Sequence, residues 1–310
     1  MNGVVIIDKP PGWTSHDVVG RVRRVLGERS IGHLGTLDPM ATGVLPLVVG
    51  NFTRLAQFYL HSEKSYEGTI RFGFSTDTYD AEGDPTSLPQ VVSLDKDRLE
   101  VAAAKFRGFI EQVPPPFSAK KIKGVPAYKL ARNHQEVILN PVQVEVKQLQ
   151  ILSVDKDRVQ FRAQVASGTY MRSVAHDMGQ LLGCGAHLEV LRRTAVSEFR
   201  LEEACTLEVL AKAAGNSHVD RTPPSAGAAF TAAEDLSQYF VHPRKLLPDF
   251  PSVAADETTA ARIRTGRTVN LPELSRARLV KVFVGQSNLI AIATRVAGSL
   301  FHPKIVLCNS

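Results

Sequence analysis

The chain has 310 residues, of which 44% are hydrophobic and 22% charged, a composition typical of globular proteins. Lysine and arginine exceed aspartate and glutamate by 37 − 31 = 6, which favours an anionic partner such as nucleic acid. No apolar run approaches the roughly 20 residues that cross a bilayer, and the apolar segment 4–7 is too short for a secretion signal. We therefore expect one large or two ordinary domains and no membrane partner.

The cysteines Cys184, Cys205 and Cys308 are far apart and form no Cys-x-x-Cys pair. This spacing does not support a disulfide framework or a structural zinc site. Cys184 and the nearby His187 would lack the further ligands that a metal needs. We expect reduced thiols, a cytoplasmic location and no bound metal.

The first part of the chain begins with a predicted strand at 4–7. A helix start at Thr14-Ser15 and Asp17 precedes apolar residues that recur at helical spacing up to Leu26. Residues 31–43 break all periodicity, and a second apolar stretch follows at 44–49. The alternation at 66–74 then predicts a strand whose Tyr66 and Ile70 share one face.

The middle of the chain continues this mixture. A helix is predicted after Asp95, and residues 159–165 alternate as a half-polar strand. The apolar face of residues 171–181 predicts another helix, with Gly183 as its C-terminal stop. Because strands and helices follow no regular βαβ rhythm, we expect an α+β fold rather than a doubly wound sheet.

The last third changes character at 211–234, which is rich in Ala, Gly, Ser and Pro and indicates a linker or mobile insertion. Beyond it we predict a capped helix at 256–266, a hairpin of 279–284 with 289–294, and a last strand at 304–307. These elements form a small β-rich module. The predicted boundaries are 1–210 for the first domain, 211–237 for the linker and 238–310 for the module.

The segment Gly32–Gly43, GHLGTLDPMATG, carries the strongest chemical signal. Its glycines permit tight turns and close approach to a ligand, and Pro39 biases Asp38 towards extended backbone geometry. A carboxylate on such a stiffened loop suits an oriented nucleophile or base, although Asp-Pro is also a common turn. No Gly-Lys-Ser/Thr ending follows, so the segment is not a P-loop.

Five blocks of sequence resemble the bacterial TruB family of pseudouridine synthases, which modify the T-loop of tRNA. They occur in the family's order across about 200 residues and are VVIIDKPPGWTSHDVV, GHLGTLDPMATGVLPL, KSYEGTIRFG, QVPPPFSAKKIKG and SGTYMRSVAHDMGQLLGCGAHLEVLRR. The resemblance implies a pseudouridine-synthase fold: a mixed, largely antiparallel sheet with flanking helices and a central RNA cleft. It also implies a catalytic domain at 1–210 and a PUA-like RNA-binding module at 238–310.

The chemistry that the resemblance implies uses no cofactor and no metal. The uracil is cut from ribose at N1, rotated while held, and rejoined at C5. Asp38 occupies the position of the catalytic aspartate, which attacks ribose C1′ or uracil C6 or assists formation of a glycal. Arg172 matches the arginine that pairs with it and keeps it ionised. Tyr66 matches the tyrosine that stacks on the uracil and joins proton transfer at C5.

Three further positions are assigned to substrate binding by the same resemblance. Leu191 matches the apolar residue that closes the base pocket, with ordinary packing as the alternative. His33 matches the side chain that fills the space left when the target base flips out, and it need not titrate. Lys9 belongs to a Lys-Pro pair that braces neighbouring loops, with a phosphate contact as the competing interpretation.

Two positions depart from the family pattern. Many members have Tyr where Phe117 stands, and a Cys-Ser pair where Val165-Ala166 precedes the Gly-Thr-Tyr segment. We expect these differences to affect local packing or RNA contacts rather than Asp38, Tyr66 or Arg172.

The leading hypothesis is therefore an enzyme that isomerises the T-loop uridine, uridine-55, of tRNA, acting as a monomer without guide RNA. The T-arm is the expected contact, and the C-terminal module is expected to reach the acceptor stem. One alternative is a guide-RNA-dependent relative, which the absence of long basic tails and the bacterial block order disfavour. Another is an RNA-binding helper of tRNA folding whose catalysis is secondary. Candidate phosphate contacts are Arg21, Arg23, Arg24, Lys120, Lys121 and Lys123, with plain solvated charge as the alternative, which we favour for the arginines of the helix.

Overall fold

The computed structural model describes residues 1–118, 120–122, 124–133, 135, 137–215 and 235–307. In chain order the strands are β1 Gly3–Lys9, β2 Ile31–His33, β3 Thr42–Val49, β4 Lys64–Phe72, β5 Gly108–Gln112, β6 Lys121–Ile122, β7 Val125–Pro126, β8 Val142–Asp155, β9 Arg158–Val165, β10 Ala186–Val196, β11 Phe199–Arg200, β12 Ser252–Ala254, β13 Val269–Asn270, β14 Leu279–Val284, β15 Asn288–Ala297 and β16 Leu300–Val306. The helices are α1 Ser15–Leu26, α2 Lys96–Ala104, α3 Ala127–Arg132, α4 Met171–Leu182, α5 Leu207–Ala213 and α6 Glu257–Arg264, with 3-10 helices at Gly50–Tyr59, Leu201–Glu203, Leu236–Tyr239 and Pro243–Lys245.

The large sheet has the order β1-β3-β10-β4-β9-β8-β5, with β2 beside β3 and β11 beside β10. Its neighbouring strands are antiparallel except for β3 and β10, which run parallel where Thr42 and Gly43 pair with Arg192 and Arg193. The predicted mixed, largely antiparallel sheet and the α+β class are confirmed. The parallel contact places the end of the glycine-rich loop beside β10.

Helix α1 begins where its sequence predicts. The Thr14 hydroxyl accepts a hydrogen bond from the Asp17 amide, and the Asp17 carboxylate accepts one from the Thr14 amide. These reciprocal bonds satisfy amides that have no partner within the first turn of a helix. The helix ends at Gly27 in the left-handed conformation.

Both faces of β1 are buried, which explains its continuous apolar run. Val5 and Ile7 belong to the core that also contains buried residues of α1, α4 and α5. Val4 and Ile6 belong to a second core whose other members include residues of the C-terminal module. Successive side chains of a strand point to opposite faces, so β1 joins the two cores.

The C-terminal module is a five-stranded sheet in the order β12-β14-β15-β16-β13, with a core of its own. The predicted hairpin is confirmed as β14 paired with β15, and the predicted capped helix is α6, capped by Asp256. The module also shares the second core with the first domain through buried residues that include Leu246, Ile292 and Leu307.

The predicted start of the linker at residue 211 is wrong, because α5 continues to Ala213. Leu207, Leu210 and Ala211 are buried against the main core, and alanine is a strong helix former. At the other end, the 3-10 helix Leu236–Tyr239 lies across the predicted boundary at 237. Residues 216–234, the rest of the predicted linker, lie outside the described residues. Within the described part of the chain, no helix is both long enough and apolar enough to cross a membrane.

Candidate active site

The loop that carries Asp38 connects β2 to β3 and is held by buried polar groups on both sides. The Ser15 hydroxyl accepts a hydrogen bond from the Leu37 amide at 2.8 Å and donates one to the Leu37 carbonyl at 3.1 Å. The Lys9 ammonium donates to the Pro39 carbonyl at 3.1 Å. The residues on both sides of Asp38 are therefore fixed to the surrounding structure.

Arg172 pairs with Asp38 through two separate contacts. Its Nη2 donates to Oδ1 at 3.0 Å, and its Nε lies 2.9 Å from Oδ2. The arginine side chain is 5% exposed and the aspartate side chain 34% exposed, so the guanidinium lies behind a carboxylate that remains accessible. A two-contact guanidinium–carboxylate pair fixes the plane of the carboxylate.

Helix α4 presents Arg172 from its first turn, and a glutamine secures that end of the helix. The Gln112 side chain donates to the Tyr170 carbonyl at 3.0 Å and accepts from the Tyr170 amide at 2.8 Å. Gln112 is buried at the end of β5. The helix start that carries the arginine is thus anchored to the edge of the large sheet.

Sequence reasoning missed Asp80, a second carboxylate beside the arginine. Its Oδ2 lies 3.4 Å from Arg172 Nη1, and its Oδ1 accepts a hydrogen bond from the Thr78 hydroxyl at 2.6 Å. Arg172 also donates to the carbonyls of Thr78 and Phe117. The loop that carries Asp80 has no periodic pattern or catalytic motif, so its sequence gave no signal of this contact.

Asp38, Tyr66, Arg172 and Leu191 line one open cavity of about 300 Å³. Tyr66 and Leu191 lie on the adjacent strands β4 and β10, in pairs that are two positions apart in the register and therefore on the same face of the sheet. Both side chains are largely buried. The structure therefore brings together a carboxylate, its arginine, a phenol and an apolar wall, which is the set that sequence reasoning assigned to one site.

Two more cations line the same cavity, Lys64 and Arg193. Burial, and secondly repulsion from Arg193, lower the pKa of Lys64 to about 8. Arg193 is fully buried and belongs to β10. Neither residue was among the predicted site residues, because single basic residues in a strand carry no motif.

Lys9 and His33 do not line this cavity. The Lys9 side chain is buried, and its ammonium donates to the carbonyls of Pro10, Trp13 and Pro39 at 2.9, 2.6 and 3.1 Å. These contacts are the bracing role that the resemblance implies for Lys9. They correct its placement among the substrate-binding residues, and they correct the competing phosphate contact. Burial of the ammonium outweighs the attraction of Asp38 and lowers the pKa of Lys9 to about 8.

His33 ends β2, and its Nδ1 accepts a hydrogen bond from the Gly35 amide at 3.3 Å. Its ring lies edge-on to His16, with the centroids 6.1 Å apart. Burial, followed by the charges of His16 and Arg193, lowers the pKa of His33. A neutral, partly exposed ring suits stacking, and the wedge role of His33 stays a prediction.

The two departures from the family pattern border the site. Phe117 contacts Arg172 through its backbone carbonyl, which any residue provides. Val165 and Ala166 line the cavity, and Val165 is buried. The differences therefore alter the cavity wall without removing a partner of the Asp38–Arg172 pair.

The predicted basic face of α1 is only partly present. Arg21 is buried, so its expected phosphate contact is corrected, whereas Arg23 and Arg24 are exposed. Lys120 and Lys121 are exposed as well, and Lys123 lies outside the described residues. The methylene groups of an arginine side chain can pack against apolar residues, so an arginine in a helix is not necessarily exposed.

Two family models match the chain. The N-terminal domain model of the TruB family of pseudouridylate synthases matches residues 23–171, and the C-terminal domain model of tRNA pseudouridylate synthase B matches residues 172–225. The "tRNA pseudouridine synthase B" of Solibacter usitatus (strain Ellin6076) is 49% identical, over 99% of this chain and 100% of the relative. That of Aquifex aeolicus (strain VF5) is 37% identical, over 99% of this chain and 100% of the relative.

Among solved structures, a chain of a Cbf5-Nop10-Gar1 complex has a TM-score of 0.69 at 24% identity, covering 99% of this chain and 85% of that chain. A chain of the archaeal box H/ACA sRNP Nop10-Cbf5 complex has a TM-score of 0.67 at 25% identity, covering 99% and 86%. These similarities support the fold. Together with full-length identity to the curated relatives, they show that the chain belongs to the TruB family of pseudouridylate synthases.

Proposed function

We propose that this protein converts the T-loop uridine of tRNA, uridine-55, to pseudouridine, with Asp38 as the nucleophile. The observation that carries the proposal is the two-contact pair of Arg172 with Asp38 at the wall of a cavity that Tyr66 and Leu191 also line. The relatives named "tRNA pseudouridine synthase B" support tRNA as the substrate.

Asp38 meets the two requirements of a nucleophilic carboxylate. It is oriented by a guanidinium, and its side chain remains about one-third exposed at the cavity that it lines. The reaction breaks the bond between ribose C1′ and uracil N1 and forms one from C1′ to C5. A proton leaves C5 and N1 gains one, so the overall change is an isomerisation that consumes no reductant or oxidant.

Tyr66 and Leu191 confine the base during this exchange. The phenol ring offers a stacking surface, and the leucine supplies an apolar wall that limits the access of water. Confinement matters because the freed uracil must rotate and rejoin before it diffuses away. We assign the Tyr66 hydroxyl to the proton transfer at C5.

The target uridine must leave a folded RNA loop to enter the cavity. His33 lies at the entrance of the catalytic loop, where its ring would stack into the vacated space. Exposed lysines such as Lys120 and Lys121 are suited to contact phosphates, as are Arg23 and Arg24. The monomeric state, the cytoplasmic location and the contact of the C-terminal module with the acceptor stem stay predictions.

The test is mass-spectrometric mapping of pseudouridine in an unmodified tRNA transcript treated with the purified protein. We expect one pseudouridine, at the T-loop position, and the same product from an isolated T-arm transcript. A protein that modifies a different position would contradict the proposed site. A protein inert on both RNAs would contradict independent catalysis and favour the guide-dependent alternative, which the fold similarity to Cbf5 complexes makes the second candidate.

A further inference from the structure

Arg193 is a buried cation to which the proposed reaction assigns no role. It is 1% exposed and lies in the middle of the sheet, on β10. A guanidinium removed from water costs free energy unless its donors find acceptors. Here Nε, Nη1 and Nη2 donate to the carbonyl oxygens of Val44, Thr36 and Gly35 at 2.7, 3.1 and 2.9 Å.

These acceptors lie on both sides of the nucleophile. Gly35 and Thr36 precede Asp38 in the loop, and Val44 follows that loop in β3. One planar group therefore ties together the two ends of the segment that carries the carboxylate. The planar fork of a guanidinium directs its donors in fixed directions towards these three carbonyls, and the ammonium of a lysine does not reproduce that geometry.

Arg193 also contacts the tyrosine of the site. Its backbone pairs with Tyr66 across the β4–β10 ladder. Burial lowers the pKa of the Arg193 guanidinium, whereas the nearby Tyr66 and Asp38 side chains act to raise it. The same guanidinium is thus hydrogen-bonded to the loop of Asp38 and lies close to Tyr66, which lines the same cavity.

We propose that Arg193 is a positioning residue that holds the Asp38 loop and the Tyr66 hydroxyl in one fixed relation across the cavity. The inference rests on the proposed function and deepens it. Arg172 orients the plane of the Asp38 carboxylate from α4. Arg193 instead fixes the backbone of the Asp38 loop and the position of the Tyr66 hydroxyl. Because Arg193 acts through these groups, its loss should slow the chemical step and leave tRNA binding intact.

The experiment compares Arg193→Met and Arg193→Lys with the control Arg192→Gln. Arg192 is the neighbour of Arg193 on β10, and its guanidinium pairs instead with Asp8 and Thr42. Single-turnover rates with saturating enzyme, tRNA dissociation constants and thermal midpoints are measured for each. The lysine variant keeps the buried charge and loses the planar set of guanidinium donors. Its rate tests the inference if the methionine variant does not fold.

We expect Arg193→Lys to lower the single-turnover rate about 30-fold and Arg193→Met about 100-fold, with the tRNA dissociation constant within about threefold of wild type. Arg192→Gln should keep its rate within about threefold. Combined with Tyr66→Phe, the Arg193→Lys change should cost less than it does alone, because part of its effect passes through the missing hydroxyl.

A folded Arg193→Lys variant with the wild-type rate would overturn the inference, and so would rate losses that multiply fully in the double variant. A loss confined to tRNA binding would overturn it as well, since it would make Arg193 a binding residue. The proposed function fails differently: there the wild-type protein itself forms no pseudouridine in the T-loop.

Discussion

At the scale of single residues, the site depends on how two carboxylates share one arginine. Arg172 stands between Asp38 and Asp80, and the second carboxylate is itself held by Thr78. The arginine therefore cannot swing away from Asp38 without leaving another buried carboxylate uncompensated. This arrangement keeps the carboxylate plane fixed before the substrate arrives, which is the condition for efficient nucleophilic attack.

Lys64 gives the site a pH dependence near neutrality. Its ammonium lines the cavity, and burial lowers its pKa to about 8. Below that pH the group is charged and suited to attract the phosphates of a nucleotide, and above it that charge is lost. The group also favours the folded state increasingly from about pH 8 to its unfolded pKa near 10.4, because the unfolded chain then binds more protons.

We therefore expect the affinity of the wild-type protein for tRNA to fall as pH rises from about 7 to 9.5, more steeply than in Lys64→Arg, whose guanidinium stays charged. Fluorescence anisotropy with labelled tRNA measures both profiles. Lys9 titrates in the same range but is common to both proteins, so the difference reports Lys64. Parallel profiles would show that Lys64 does not contribute charge to tRNA binding.

Site residues that lie in motifs could be predicted from the sequence, and the residues that contact them could not. Asp38 stands out through its glycine-rich loop, and Arg172 and Tyr66 through resemblance. Asp80 and Arg193 carry no local signal, because their roles arise from contacts with residues far away in the chain. For Lys9 the sequence left bracing and a phosphate contact open, and the burial of the side chain favours bracing.

At the scale of elements, the parallel contact of β3 with β10 demands a glycine. Gly43 has φ +98°, and a Cβ there would lie 2.2 Å from the Arg193 carbonyl oxygen. No other residue fits without moving β10, the strand that also carries Leu191. The glycine that ends the catalytic loop is thus required for the packing of the site.

Gly43→Ala should lower the free energy of unfolding by about 2 kcal/mol more than Gly27→Ala does. Gly27 also has a positive φ, +62°, but its Cβ would meet nothing within 4 Å, so its substitution measures the cost of backbone strain alone. Urea unfolding of the two variants gives the comparison. Equal losses would mean that β3 and β10 separate easily at this point.

Elements whose ends carry a capping signal were predictable, and the irregular strand β8 was not. The capping residues Thr14 and Asp17 mark α1, and Gly183 marks the end of α4, as the structure confirms. Strand β8 escaped prediction, since irregular register at Val146/Gln148 and Ile151/Ser153 shifts which side chains face the core. The end of α5 was missed because its alanines read as linker composition.

At the scale of the whole molecule, the C-terminal module and the first domain are joined by a common core. Val4 and Ile6 of β1 share that core with Phe283, Ile292 and other residues of the module. Removing the module would uncover this apolar surface, so a deletion at Phe240 would test stability as much as RNA binding. Charge substitutions on the exposed face of the module are the cleaner test of its contact with tRNA.

Because the core is shared, a destabilising substitution in the module should also destabilise the first domain. Ile292→Ala removes a fully buried side chain and should lower the thermal midpoint reported by Trp13 fluorescence by about 5 °C. Trp13 is the single tryptophan and packs against the main core of the first domain. Val296→Ala, on the exposed end of the same strand, is the control and should leave the midpoint unchanged. An unchanged midpoint in Ile292→Ala would show that the two parts unfold independently.

The proposed function requires that the Asp38 carboxylate perform chemistry and not serve to bind RNA. Its most direct test measures the single-turnover rate of pseudouridine formation and the tRNA dissociation constant of Asp38→Asn, which keeps the shape and removes the charge. We predict a rate at least about 1,000-fold below wild type, with the dissociation constant within about threefold. Pseudouridine formation at a rate near that of wild type would contradict the account.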